Sequence, residues 1–207
     1  DATSERVCAR QRVFWQDLLL DQSPTGIDNP ARAAAVLSEA AQEHWPHVFS
    51  MLPSAVRSLV TRVRCLRDWI PELELPPLDD AQLQELLPPL CQGCKGFEDL
   101  QRAAWLAAIQ QTLGYQHLPT VEREAPRHLV VPSGRSLPLR YEEGKAPVLA
   151  VRIQELFGLV ETPRVARGRI PVLLHLLAPN MRPQQITDDL PSFWKNTYPE
   201  VRKQLRG

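Results

Sequence analysis

Proline is the residue that most limits what this chain can become. Twenty prolines stand against nine glycines in 207 residues, and each proline removes a backbone donor and fixes φ near −65°. A chain so punctuated is expected to build short, interrupted elements, several with a proline in the first helical turn, where the missing N–H costs nothing. The length suffices for one large domain or two small ones without disulfide staples. With 43% hydrophobic and 23% charged residues, wholesale disorder is not expected.

Along the first part, ERVCARQRVFWQDLLL mixes helix and strand periods, and a strand is expected around Val13 to Leu20. DQSPTGIDNP reads as a loop, after which Asn29-Pro30 opens an alanine-rich helix with Val36 and Leu37 on one face. From Ser54 a second helix puts Val56, Leu59, Val60, Val63, Leu66 and Ile70 on one face. Arg57, Arg62, Arg64 and Arg67 fall mostly on the rest, as a solvated side or a basic surface toward nucleic acid or a neighbouring domain. Asp79 or Asp80 caps AQLQELLPPLC, which Pro88-Pro89 should end. FEDLQRAAWLAAIQQTLGY is expected as one helix closed by Gly114.

Beyond LPTVEREAP the pattern changes. HLVVPSGRSLPLRY has two apolar segments around Pro-Ser-Gly-Arg, a hairpin signature with Leu137, Leu139 and Tyr141 on one face and Arg140 on the other. APVLAVRIQELFG reads as a helix started by Pro147 and capped by Gly158, with Leu149, Ile153, Leu156 and Val160 facing a sheet and Arg152 paired with Glu155. Ile170 to Leu177 is an apolar run suited to a central strand. Thr187 or Asp189 caps a last helix, in which Pro199 imposes a kink at Tyr198 or a new start. The expected fold is α+β: a mostly helical region over residues 1–118, then a small β-β-α-β-α sheet domain over 119–207.

The formal net charge is zero but unevenly spread: residues 119–207 hold 14 Lys and Arg against 9 Asp and Glu, and the first 118 hold 10 against 15. The second half is thus the better place to seek a phosphate-bearing partner. RVARGR, with Arg164, Arg167 and Arg169, is its densest basic stretch. Together with Arg182, Lys195, Arg202, Lys203 and Arg206 it forms a candidate nucleic-acid surface. Trp194, four residues from Tyr198, either stacks bases or packs into the core.

Catalytic motifs are missing from the sequence: there is no phosphate loop, no dinucleotide fingerprint, no nucleophile elbow and no zinc-protease helix. Glu143-Gly144-Lys145 has the Glu-x-Lys spacing of metal-dependent nucleases but lacks an Asp on the preceding strand, so a polar turn is expected. CQGC, with Cys91 and Cys94, has no second knuckle and reads as free thiols at a turn rather than a zinc or redox site. No metal ligands and no catalytic residues are assigned. With no apolar run of membrane-spanning length and no apolar signal core, a soluble, cytoplasmic protein is expected. A first residue other than Met suggests a piece of a longer protein.

Several blocks of the second part resemble a known family. VPSGRSLPLRY, PVLAVRIQELFGLVETP, GRIPVLLHLLAPNMRPQQITDDLPSFW and YPEVRKQLRG, in this order, are similar to the C-terminal region of HrpB-type bacterial DEAH-box ATP-dependent helicases. The match runs over residues 119–207, and AQLQELLPPLCQG looks like the family's preceding helical segment. Asn180-Met181 and Pro199 depart from its usual pattern. The resemblance implies a fragment of an RNA-dependent ATPase, with ATP and Mg²⁺ held in two RecA-like domains upstream and no cofactor here. The partners implied are RNA and those RecA-like domains. The family typically continues past the final Arg-Gly with a short aromatic and proline-rich tail. Arg152, Gln154 and Glu155 become candidate contacts with RNA or the helicase core.

Overall fold

The structure is a computed structural model that describes residues 5–204, with side chains followed as far as residue 201. The chain forms two compact units, one from Asp1–Arg57 with Leu78–Thr112 and one from Ser58–Pro77 with Leu113–Gly207. Each unit is built from two stretches of chain, and one division falls inside a long helix. The α+β character holds, with helices dominating the earlier residues and strands the later ones.

The first unit opens with an antiparallel ribbon of β1 (Ala9–Trp15) and β2 (Leu18–Thr25), turned at Gln16-Asp17 with Gln16 at φ 53°. The expected strand is therefore a hairpin, and DQSPT, expected as loop, is mostly its second strand. Next come α1 (Pro30–Glu43), α2 (Trp45–Met51) and the start of α3 (Ser54–Trp69). The Asn29 side chain accepts from the Arg32 N–H at 2.9 Å, and Pro30 sits in the first turn as expected. Ala33, Ala34, Leu37, Ser38 and Ala41 are the buried stripe of α1, whereas Val36 is 46% exposed.

The first unit is completed by α4 (Asp80–Glu85), α5 (Leu87–Leu90), α6 (Phe97–Gln101) and α7 (Trp105–Leu113). Asp79 caps α4 by accepting from the Gln82 N–H at 2.9 Å. The single helix expected over residues 97–113 is two. Trp105 is fully buried, and its indole N–H donates to the Leu100 carbonyl at 2.8 Å, occupying the acceptor that a continuing helix would offer to residue 104. Trp105 also packs against Trp45 with ring centroids 6.1 Å apart.

In the second unit, the rest of α3 and a 3₁₀ turn at Pro71–Leu73 join α8 (Leu118–Glu124) and a set of short strands. β3 (His128–Val130) and β4 (Ser136–Pro138) form the expected hairpin, with Gly134 at φ 82° in its turn. β5 (Val148–Arg152), β8 (Leu173–Leu177) and β9 (Pro183–Thr187) make a three-stranded sheet with β8 central and parallel to β5. β6 (Arg164–Val165) and β7 (Ile170–Pro171) form a separate ribbon. The chain ends with α9 (Leu190–Ser192), a π-helical turn at Phe193–Thr197 and α10 (Tyr198–Gln204). Asp189 caps α9, and the widened turn just before Pro199 accommodates the missing N–H there.

A further expectation is overturned. Residues 147–157 are not a helix but strand β5 followed by a 3₁₀ turn at Ile153–Leu156. Leu149 and Val151 face inward while Val148, Ala150 and Arg152 face outward, a period of two that pairing with β8 enforces. Leu149, Ile153 and Leu156 are buried, as they would be in the helix, but Val160 is 71% exposed.

α3 organises the second unit through Arg62, whose side chain has no solvent exposure. Its guanidinium donates to the Ala125 carbonyl at 2.8 Å and to Glu122 Oε1 at 2.9 Å, fastening the end of α8. Farther along, Arg64 pairs with Glu143 at 3.0 Å and Cys65 Sγ meets the Glu142 carbonyl at 3.6 Å, holding the turn after β4. Arg62→Ala removes a buried side chain and strands a carbonyl, so denaturant titration should show a loss of about 3 kcal/mol. An equivalent change at the exposed Arg67 should cost under about 0.5 kcal/mol.

Candidate functional site

The basic stretch RVARGR is the β6–β7 turn, and its backbone is unusual. Ala166, Arg167 and Gly168 all lie in the left-handed region, at φ 54°, 54° and 76°. For the two non-glycine residues this costs roughly 1–2 kcal/mol each. Glu124, at the end of α8, stabilises the arrangement: its backbone carbonyl accepts from the Ala166 N–H and its Oε2 from the Arg167 N–H, both at 2.8 Å.

The three arginines of this turn are used differently. Arg164 donates inward to the carbonyls of Gly168 and Arg169. Arg169 makes a two-pronged ion pair with Glu72, both bonds 3.0 Å, and reaches the Trp69 carbonyl at the end of α3. Arg167 alone presents an exposed guanidinium with no ion pair or side-chain hydrogen bond among the described residues. Of the stretch that looked most like a phosphate-contacting surface, two of three cations brace the fold.

The other candidates are dispersed. Arg182 and Lys195 are exposed, and no ion pair engages either side chain among the described residues. Trp194 is half-buried, its indole N–H donating to the Leu159 carbonyl at 2.8 Å and its ring flanked by Phe157, Phe193 and Tyr198 at 5.0–6.0 Å. The backbone of Arg202 and Lys203 belongs to α10, but their side chains lie outside the described residues, as does Arg206 entirely. Arg152 and Glu155 do pair, though Glu155 is buried, with Arg135 donating to the same oxygen. Burial pushes the Glu155 carboxyl up, but its bonds from Arg152 and Arg135 prevail and hold it below the usual carboxylate range. Gln154 is exposed on the 3₁₀ turn.

Two other motifs are absorbed structurally. Glu143 is bound to Arg64 and Lys145 to Glu142, so Glu143-Gly144-Lys145 is a braced turn with Gly144 at φ 73°. Burial, and then proximity to Cys94, push the Cys91 thiol up to about 12, far from a reactive thiolate.

The most exposed apolar surface was not anticipated. In the β1–β2 ribbon Phe14 faces Leu19 across the strands, and Trp15 faces Leu18. Consecutive pairs point to opposite faces of a ribbon, so both faces are apolar. Exposures run from 44% for Val13 to 68% for Trp15, with Leu18 at 65% and Leu20 at 57%. The run VFWQDLLL carried the signal in its two apolar triplets around a two-residue turn, but Gln-Asp lacks the glycine that marks such turns.

A helical unit, a strand-bearing unit braced by arginine–carboxylate pairs and an exposed apolar ribbon are the features to set beside known proteins. The family profile of the ATP-dependent helicase C-terminal region, HrpB_C, matches residues 86–207, and the chain belongs to that family. ATP-dependent RNA helicase HrpB of Escherichia coli (strain K12) is 39% identical over 150 residues, covering 70% of this chain and 18% of that protein. A crystal structure of the E. coli DExH-box NTPase HrpB superposes on 96% of this chain and 25% of that one, with a TM-score of 0.77 and 31% identity. A second, of the Escherichia coli DEAH/RHA helicase HrpB, gives 94%, 25%, 0.70 and 30%. The chain spans about a fifth to a quarter of the length of these relatives. The resemblance read over residues 119–207 is therefore borne out, and it reaches farther upstream.

Glu124 is the positioning residue that sequence reasoning missed. Burial pushes its carboxyl up, but the bonds from Arg123 and the Arg167 N–H, with both guanidinium charges, hold it below the usual range. A depressed carboxylate stabilises the fold above its unfolded pKa and ceases to do so as pH falls through the folded value. Hydrogen exchange at the Arg167 amide should therefore accelerate, after correction for intrinsic rates, once pH drops below the ordinary carboxylate range. Glu124→Ala should produce about a tenfold acceleration at neutral pH.

Proposed function

We propose that this chain is the C-terminal accessory region of an ATP-dependent RNA helicase and that it docks on the rest of the helicase polypeptide through the β1–β2 ribbon. The observation that carries this reading is the apolar character of both ribbon faces. An isolated two-stranded hairpin is at best marginally stable in water, and one with Phe14, Trp15, Leu18 and Leu19 all exposed asks for cover on each side. The relatives' additional length supplies a natural source of that cover, including the upstream RecA-like domains that the family resemblance implies. ATP and Mg²⁺ belong to that remainder. The Gly144-Lys145 turn does not fit them, because its lysine is held by Glu142 and no phosphate-cradling loop precedes it. A cytoplasmic setting follows from the helicase reading.

A second reading, contact with RNA through the C-terminal half, is supported by the exposed Arg167, Arg182 and Lys195, none of whose side chains makes an ion pair among the described residues. The two readings separate by calorimetric titration of the 207-residue chain with the remainder of the polypeptide supplied in trans. The double change Trp15→Asp with Leu18→Asp should weaken association about 30-fold or more, as expected for two central apolar anchors. Arg167→Glu should leave it unchanged. Equal affinity for the ribbon variant and the unaltered chain would remove the docking reading.

A further inference from the structure

The three-stranded sheet of the second unit has one face turned inward and one left open. Leu149 and Val151 of β5 and Leu174 and Leu176 of β8 are buried. The open face carries Val148 and Ala150 of β5, Leu173, His175 and Leu177 of β8, and Ile186 of β9 at 59% exposure. Register places Ala150, His175 and Ile186 in one row across the three strands. Along one side of this face runs a groove of about 650 Å³ between the sheet and the turn after β4, its rim formed by Arg140 and Lys145 and its floor by Val148, Ala150, Leu173 and His175.

The unpaired charge on this face has one sign among the described residues. Arg140 is exposed, and no ion pair or hydrogen bond engages its guanidinium among the described residues, while its backbone is fixed by paired bonds with Val148 at 2.9 Å. His175 is partly buried, likewise without a side-chain bond among the described residues. The carboxylate at the rim, Glu142, is taken up by Lys145, and neighbouring Glu143 by Arg64. Arg152 borders the same face at the far end of β5, paired with buried Glu155. No acidic residue belongs to the outward rows of β5, β8 or β9.

We infer that this open sheet face is a binding site for single-stranded nucleic acid, with Arg140 at a phosphate and the small aliphatic floor and His175 imidazole beneath the bases. A floor of Val148, Ala150 and Leu173 is low enough for planar rings to lie flat, and an imidazole offers a stacking partner that tolerates any base. An acidic peptide is the weaker fit, because an added strand needs a free sheet edge and β5, on the groove side, is already bridged to the chain after β4 at Arg140–Val148. The site shares no residue with the β1–β2 ribbon, so it stands or falls apart from the docking reading.

The test is fluorescence anisotropy of the 207-residue chain with a fluorescein-labelled single-stranded oligouridylate at two salt concentrations. The unaltered chain should bind with salt-dependent affinity. Arg140→Glu, a change at an exposed side chain, should weaken binding about tenfold and flatten the salt slope by about 1. His175→Ala should weaken it about threefold with the slope kept. As a second measurement, diethylpyrocarbonate modification of His175, read by mass spectrometry, should be suppressed by the oligonucleotide. Trp15→Asp with Leu18→Asp should leave both readouts unchanged. The site is overturned if no salt-dependent binding is seen, if an acidic peptide binds in place of the oligonucleotide, or if Arg167→Glu abolishes binding while Arg140→Glu and His175 protection show nothing.

Discussion

A buried guanidinium holds the second unit together. Arg62 lies on α3 at a position where the helical pattern calls for a solvated residue, yet it is enclosed, and it completes its bonding on a backbone carbonyl at the end of α8 and on Glu122. Burying a cation is unfavourable unless geometry repays the lost hydration. Its Nε has no partner among the described residues, so the compensation rests on the two terminal nitrogens. Anchored this way, α8 ends where Glu124 can grip the β6–β7 turn. α3 in turn ends where the Trp69 carbonyl, with Glu72 beyond it, receives Arg169.

This arrangement explains why a basic half need not be a basic surface. Arg123, Arg127, Arg135, Arg152 and Arg169 of that half are each matched to a carboxylate within the second unit, as are Arg62 and Arg64 of α3. Short strands and three-residue helices give little hydrophobic area per element, and side chains that reach across loops supply part of the connectivity that longer elements would provide. Among the described residues, what remains for partners is sparse: Arg140, Arg167, Arg182 and Lys195 in the second unit, and the apolar ribbon in the first.

Legibility followed locality. The hairpin at Pro-Ser-Gly-Arg, the caps at Asn29, at Asp79 of the pair Asp79-Asp80 and at Asp189 rather than Thr187, and most of the strand expected over Ile170 to Leu177 depend on residues adjacent in sequence; only Ile170–Pro171 departs, pairing with β6 instead. β5 was not readable, because Leu149, Ile153 and Leu156 satisfy a helical stripe as well as they satisfy a strand and turn, and the decision is made by β8, about 25 residues away. The split between α6 and α7 depends on an indole folding back on Leu100. Among the candidate site residues, composition located RVARGR and the Arg152–Glu155 pair correctly in the chain. It could not show that Arg164 and Arg169 are spent on the fold, since Glu72 lies 97 residues from its partner. The apolar ribbon went unread as a surface because strand-forming triplets in a sequence look the same whether they enter a core or face outward.

The β1–β2 ribbon is proposed to dock on the rest of a helicase polypeptide. Hydrogen–deuterium exchange tests this docking most directly, comparing the 207-residue chain alone with the same chain after addition of that remainder. Amides of Ala9–Trp15 and Leu18–Thr25 should exchange rapidly in the isolated chain and become strongly protected on addition, while α3 is protected in both. Ribbon amides that exchange equally fast in both samples would contradict the docking.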